Sequence, residues 1–211
     1  GIDAILTSLV LTDFLLLGSS RLGACIRFVA GQGVLLGALT LAAHEETLSL
    51  RPFILAAASA GLKGAAFPWL LQRALREANV RREIEPFIGY NLSLLLGTLA
   101  LAASLWLNSY LPLPSPPVSP FIVPVALFTS FVGLFLIISR KNAHNQVLGY
   151  LVLENGVYAF GVGIVQDTPM LVELGVLLDV FVAVFVMGIT LFHINRQFVH
   201  IDTVRLAALQ H

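Results

Sequence analysis

Residues 149–156 read Gly-Tyr-Leu-Val-Leu-Glu-Asn-Gly, a carboxylate set in an apolar run that extends two turns before Glu154 and resumes after Gly156. The run from 147 to 166 has the roughly 20 predominantly apolar residues that a helix needs to cross bilayer hydrocarbon. A charge near the middle of such a helix costs about 2.5–3.5 kcal/mol on insertion scales, so it faces a bundle interior or a wet path. The stretch predicts a spanning helix and a candidate functional group at once.

The remaining sequence has the same character. Of its 211 residues, 57% are hydrophobic and 11% charged, with a mean hydropathy of +0.89. Soluble domains carry about 25% charged residues, so this chain cannot cover a soluble surface. Twelve basic and twelve acidic residues cancel, which argues against an electrostatic nucleic-acid footprint. A lone Cys25 excludes an internal disulfide framework and a cysteine metal cluster.

Apolar runs at 2–19, 22–43, 50–72, 87–109, 121–139, 147–166 and 170–193 predict an all-α polytopic membrane protein of about seven spans. Very short turns make the first two and the last two spans antiparallel neighbours. The first run lacks a basic leading segment and carries Asp13, so it reads as a retained span and not a cleaved signal peptide. With seven spans, Arg21, Arg73, Arg76, Arg81, Arg82, Arg140, Lys141, Arg196 and Arg205 all fall on one side. The positive-inside rule then puts the N-terminus outside and the C-terminus in the cytoplasm. The loop LPLPSPPVSP (111–120) divides an N-terminal four-helix region, 1–118, from a C-terminal three-helix region, 119–211, with a short cytoplasmic tail. Residues 73–85 mix Arg with Glu and read as a cytoplasmic interfacial helix or loop.

Several more ionisable groups lie within the runs. Asp179 is about 13 Å into the last one at 1.5 Å per residue, and Glu173 is in its first turn. Lys63 is near the middle of the third, among the small residues of 56–66; Asp13 is in the first; Arg27 and Gln32 are in the second. A buried carboxylate near a cation can load and release a proton, because desolvation and the neighbouring charge act in opposite directions. Lys63, Glu154 and Asp179, with Glu173, Arg27 and Asp13, are therefore candidates for a proton path. The static alternative has Glu154 or Asp179 pairing with Lys63 only to pin helices, and Arg27 snorkelling to headgroups. Gly33 and Gly37 form a small-residue pair that lets helices approach closely. Pro68 predicts a kink in the third span. The histidines sit at helix ends, loops or the tail, no phosphate loop or zinc motif occurs, and the serines lack a triad.

The stretches RKNAHNQVLGYLVLENG (140–156), TPMLVELGVLLDVFVAVFVMGIT (168–190) and HIDTVRL (200–206) resemble component E of hydrogenase-4-type formate hydrogenlyases. The resemblance extends to Arg21–Leu22, Gln32 and the segment from Lys63 to Pro68. The last three helices are also similar to the K subunit of respiratory complex I, a three-helix protein with one acid in its second helix and one in its third. Glu154 and Asp179 occupy the matching positions, Asp179 replacing the glutamate usual in the K subunit; Lys63 matches the component E pattern alone.

The resemblance implies a non-catalytic membrane subunit of an oxidoreductase complex in the cytoplasmic membrane of a bacterium or archaeon. It would bridge antiporter-like membrane subunits and carry part of a proton path linking them to a cytoplasmic redox module. It would bind no cofactor itself; partner subunits would hold iron–sulfur clusters and a nickel–iron site. Two rivals stand beside this reading: a subunit of a multisubunit cation/proton antiporter, whose K-like protein is shorter, and a purely structural scaffold.

Overall fold

Helix α1 (Ile2–Gly18) and helix α2 (Leu22–Ala43) are separated by three residues, a turn short enough to fold one back along the other, and they pack together. The computed structural model describes residues 1–43, 57, 60–77, 88–112, 117–140 and 143–164. Within them a π-helical turn (Leu62–Ala66) leads into α3 (Phe67–Glu77), followed by α4 (Tyr90–Asn108), α5 (Ile122–Ser139) and α6 (Ala143–Ile164). No strand occurs among the described residues.

Leu22–Ala43, Tyr90–Asn108, Ile122–Ser139 and Gln146–Ile164 are long and apolar enough to cross a membrane. Helix α1, with 17 residues, is about 25 Å long at 1.5 Å per residue. These elements match the runs at 2–19, 22–43, 87–109, 121–139 and 147–166 to within a few residues. Of the run at 50–72, residues 50–56, 58 and 59 lie outside the described residues, and α3 carries the helix on to Glu77. The run at 170–193 also lies outside them, so the described helices support a polytopic all-α fold without fixing a count of seven.

Two local features follow from proline chemistry. Pro124 lies in the first turn of α5, where its missing N–H has no intrahelical acceptor to lose. Pro68 lies inside a helix, where its ring would collide with the carbonyl four residues back. The chain relieves this by widening the preceding turn: Phe67 N–H donates to the Leu62 carbonyl, five residues back. The kink expected at Pro68 therefore takes the form of a π-turn, and Lys63 sits in it.

Helix α6 packs along α5 and also against α2; α1 touches α2, α4 and α5. Glycines set the closest approaches. A Cβ on Gly133 would run into the Leu153 backbone, and one on Gly156 into Ser130. A Cβ on Gly33 would lie 2.6 Å from the Lys63 Cβ, so the π-turn rests directly on α2 there. Apolar side chains on the outer surfaces, such as Leu95, Leu99 and Trp106 of α4 and Ile138 of α5, are well exposed, as hydrocarbon-facing positions are.

The buried apolar residues form two separate clusters. One joins Leu16, Leu17, Cys25, Val29, Val132 and Val152 with their neighbours; the other joins Leu6, Leu9, Leu36, Leu39, Ala126 and Ala159 with theirs. On α1, α2, α5 and α6 a polar residue falls at or next to the boundary between the two sets. Asp13 stands between Leu9 and Leu16, Gln32 between Val29 and Leu36, Thr129 between Ala126 and Val132, and Glu154 and Asn155 between Val152 and Ala159. A polar layer thus divides the bundle about 10–18 Å from the start of these four helices.

Gly133→Ala is expected to destabilise the detergent-solubilised protein by roughly 1–3 kcal/mol, the usual cost of overpacking. Gly161→Ala, where an added Cβ meets nothing within 4 Å, should be neutral or stabilising. Thermal unfolding of the two variants side by side checks both.

Candidate functional site

The polar layer contains two connected groups. In the first, Lys63 Nζ donates to Glu154 Oε1 at 3.1 Å, with the two side chains 3% and 4% exposed. The pair joins the π-turn to α6. Tyr158, one turn beyond Glu154 on the same face, presents its ring 4.8 Å below the ammonium. Its hydroxyl lies 3.0 Å from Thr40 Oγ1 of α2; since Thr40 donates to the Leu36 carbonyl, Tyr158 is the donor between them.

In the second group, Asp13 of α1 is fully buried. Its Oδ1 accepts from Gln32 Nε2 and its Oδ2 from Thr129 Oγ1, both at 2.7 Å. Gln32 Nε2 also donates to Thr12 Oγ1 at 3.1 Å, and its Oε1 accepts from Asn155 Nδ2 at 3.2 Å. One carboxylate therefore ties α1 to α2 and α5, and one amide extends the link to α6. The two groups are adjacent. Gln32 touches Asp13 while Gly33 supports Lys63, and Asn155 touches Gln32 while Glu154 holds Lys63.

Burial makes these contacts consequential. Transferring a single charge into the interior costs several kcal/mol, offset only when it is paired and its remaining hydrogen-bonding capacity is used. Glu154, one of the two acids that the sequence left open as partners of Lys63, is in contact with it; the other, Asp179, lies outside the described residues, as does Glu173. Asp13, expected on the same footing as Arg27, is deeply enclosed. Arg27, weighed between the path and a snorkelling role, is on the exposed surface of α2, outside the polar layer.

Thr129, Asn155, Tyr158 and Thr40 carried no signal strong enough to single out, because threonine, tyrosine and asparagine are tolerated within spanning helices in many ways. Asn155 could have been suspected from its place beside Glu154. Arg140, read only as a marker of orientation, is buried at the end of α5 with its guanidinium 5.8 Å from the Tyr90 ring. Among the described residues no three His, Cys, Asp or Glu side chains gather as a metal site would require.

A helical bundle with apolar outer faces and paired ionisable groups at mid-depth defines a polytopic membrane protein with a buried polar centre. The chain belongs to the same family as the uncharacterized protein Rv0085 of Mycobacterium tuberculosis, with 30% identity over 210 residues, 99% of this chain and 96% of that protein. It is also similar to hydrogenase-4 component E of Escherichia coli K12 and of Shigella flexneri, 35% identical to each over 86 residues. That match covers 41% of this chain and 40% of those proteins, so the chain spans well under half of their length in it. No family model matches the chain, and no solved structure does.

Lys63→Met is expected to cost about 3–5 kcal/mol, because it leaves Glu154 buried without its cation. The double variant Lys63→Met with Glu154→Gln should recover part of that loss. Thermal unfolding of the two single variants and the double variant measures the coupling.

Proposed function

We propose that this protein is a non-redox membrane subunit of a hydrogenase or related complex I-like assembly, and that it carries part of a proton path. The observation that supports this best is the Lys63–Glu154 pair, buried at mid-depth between a π-turn and a spanning helix. A pair of this kind has two charge arrangements, ion pair and proton-shared neutral pair, whose balance shifts when a nearby charge changes. Redox chemistry in a partner would reach it as such a change. The partial similarity to hydrogenase-4 component E supports the type of assembly.

In this reading the chain lies in a cytoplasmic membrane with seven spans, N-terminus outside and C-terminus inside. Asp179 and Glu173 of the last span continue the path from Glu154. The partners are antiporter-like membrane subunits and a cytoplasmic redox module that holds the iron–sulfur clusters and the nickel–iron site. The subunit's own part is to bind, position and pass protons.

Mild-detergent extraction from native membranes, with mass spectrometry of bound proteins, tests the assembly. A nickel–iron hydrogenase-like module together with large antiporter-like subunits is the expected outcome. Antiporter-like subunits without a redox protein would favour the ion-exchanger reading, and the chain alone would defeat both. In vesicles carrying the intact complex, Glu154→Gln should abolish redox-driven proton movement, read with a pH-sensitive dye, while the redox module still turns over. Unchanged proton movement would take Glu154 off the path.

A further inference from the structure

We infer that Asp13 is a second proton-binding site of the layer, that it takes its proton on Oδ2, and that the Thr129 hydroxyl is the positioning group that reverses to accept it. This deepens the proton-path reading, but its test does not use translocation, so the two can fail separately.

The hydroxyls of this bundle supply the first observation. Inside a helix, Ser and Thr normally donate to a carbonyl of the preceding turn. Ser8, Thr40, Thr98, Ser104 and Ser130 all do so here, Ser130 to the Ala126 carbonyl at 2.9 Å. Thr129, its neighbour on α5, donates across to Asp13 instead. It is therefore a hydroxyl with two acceptors in prospect: the carboxylate it now faces and the carbonyl one turn back.

The second observation is the asymmetry of the carboxyl group. Oδ1 faces Gln32 Nε2, a group that only donates. Both hydrogens of that amide are committed, to Asp13 and to Thr12, and its oxygen accepts from Asn155. Turning Gln32 over would set its NH2 against the NH2 of Asn155. A proton on Oδ1 would point at an N–H, whereas a proton on Oδ2 meets a hydroxyl that can accept. In the protonation step an O–H bond forms on Oδ2 as an O–H bond of a hydronium ion breaks, leaving a water molecule. The Thr129 hydrogen rotates off Oδ2 to the carbonyl four residues back, and Thr129 Oγ1 accepts the new Asp13 O–H. Release reverses each movement and returns the proton to water.

The third observation is what surrounds the site. Among the described residues, α2 presents Gln32 to Asp13 and α5 presents Thr129. The buried positions of α4 are Ser93, Gly97 and Ser104. Asp13 thus faces neutral hydrogen-bonding groups. Arg27 of α2 is turned outward, and Cys25 is about 10 Å further along the helix axis from Gln32. Among the described residues, the ionisable groups linked to it are Lys63 and Glu154, reached through the adjacent pairs Gln32–Gly33 and Glu154–Asn155. In an interior of low dielectric, a charge on Asp13 acts on that pair with little screening.

Infrared difference spectroscopy of the full chain in membranes, titrated with pH and with carbon-13-labelled aspartate, tests this. A pH-dependent carbonyl band of a protonated aspartic acid should be present in the native protein and lost in Asp13→Asn. Thr129→Val should move that band to higher frequency, Thr129→Ser should restore it, and Glu154→Gln should shift its titration midpoint. Identical native and Asp13→Asn spectra at every pH would overturn the inference. An unmoved band in Thr129→Val would remove Thr129 from it. If Asp13→Asn does not fold, the Thr129→Val and Thr129→Ser pair still decides, since only a protonated Asp13 bonded to Thr129 gives a band that follows them.

Discussion

Hydrocarbon offers no hydrogen bonds, so every polar group at the middle of a spanning bundle must be satisfied by another part of the protein. This constraint organises the described structure. Asp13, Gln32, Thr129, Lys63, Glu154 and Asn155 come from five different elements and meet at one level because each supplies what another lacks. The apolar residues then sort into a cluster above the layer and a cluster below it. Helix order, packing and the close glycine contacts all serve to bring these six side chains within reach of one another.

The layer also explains the local irregularity of the chain at 62–66. A regular helix before Pro68 would leave the carbonyl of Gly64 against the proline ring, and widening the turn removes that clash. The widened turn lies on Gly33 and carries Lys63, so the same feature that accommodates the proline places the cation against α2 and opposite Glu154. π-turns are found frequently at functional sites, where they set a side chain at an angle that a regular helix does not reach.

Much of this was legible beforehand. Apolar runs of spanning length located α1, α2, α4, α5 and α6, and the cost of burying charge marked Glu154, Lys63 and Asp13. A proline inside a helical run announced a distortion at 62–68. Arg27 lies on the exposed surface of α2: its depth along the helix is readable from the sequence, but the direction it faces is not. An arginine at that depth is equally consistent with the lipid side and with the bundle side. Thr129 was invisible because nothing in its surroundings distinguishes a hydroxyl that donates to its own helix from one that donates to another.

The sequence by itself determined that the chain is a membrane protein of apolar helices and that its few buried ionisable groups, Lys63 among them, needed a charged or hydrogen-bonding partner. These follow from composition, run length and the energetics of burying charge, all local quantities. That Glu154 reaches Lys63, and that Gln32 and Thr129 bond Asp13, only the tertiary structure decided. Both depend on how helices far apart in the chain are rotated against each other, and apolar faces of similar width leave that rotation open. It is set here by the close approaches at Gly33, Gly133 and Gly156 and by the hydrogen bonds that the interior must complete.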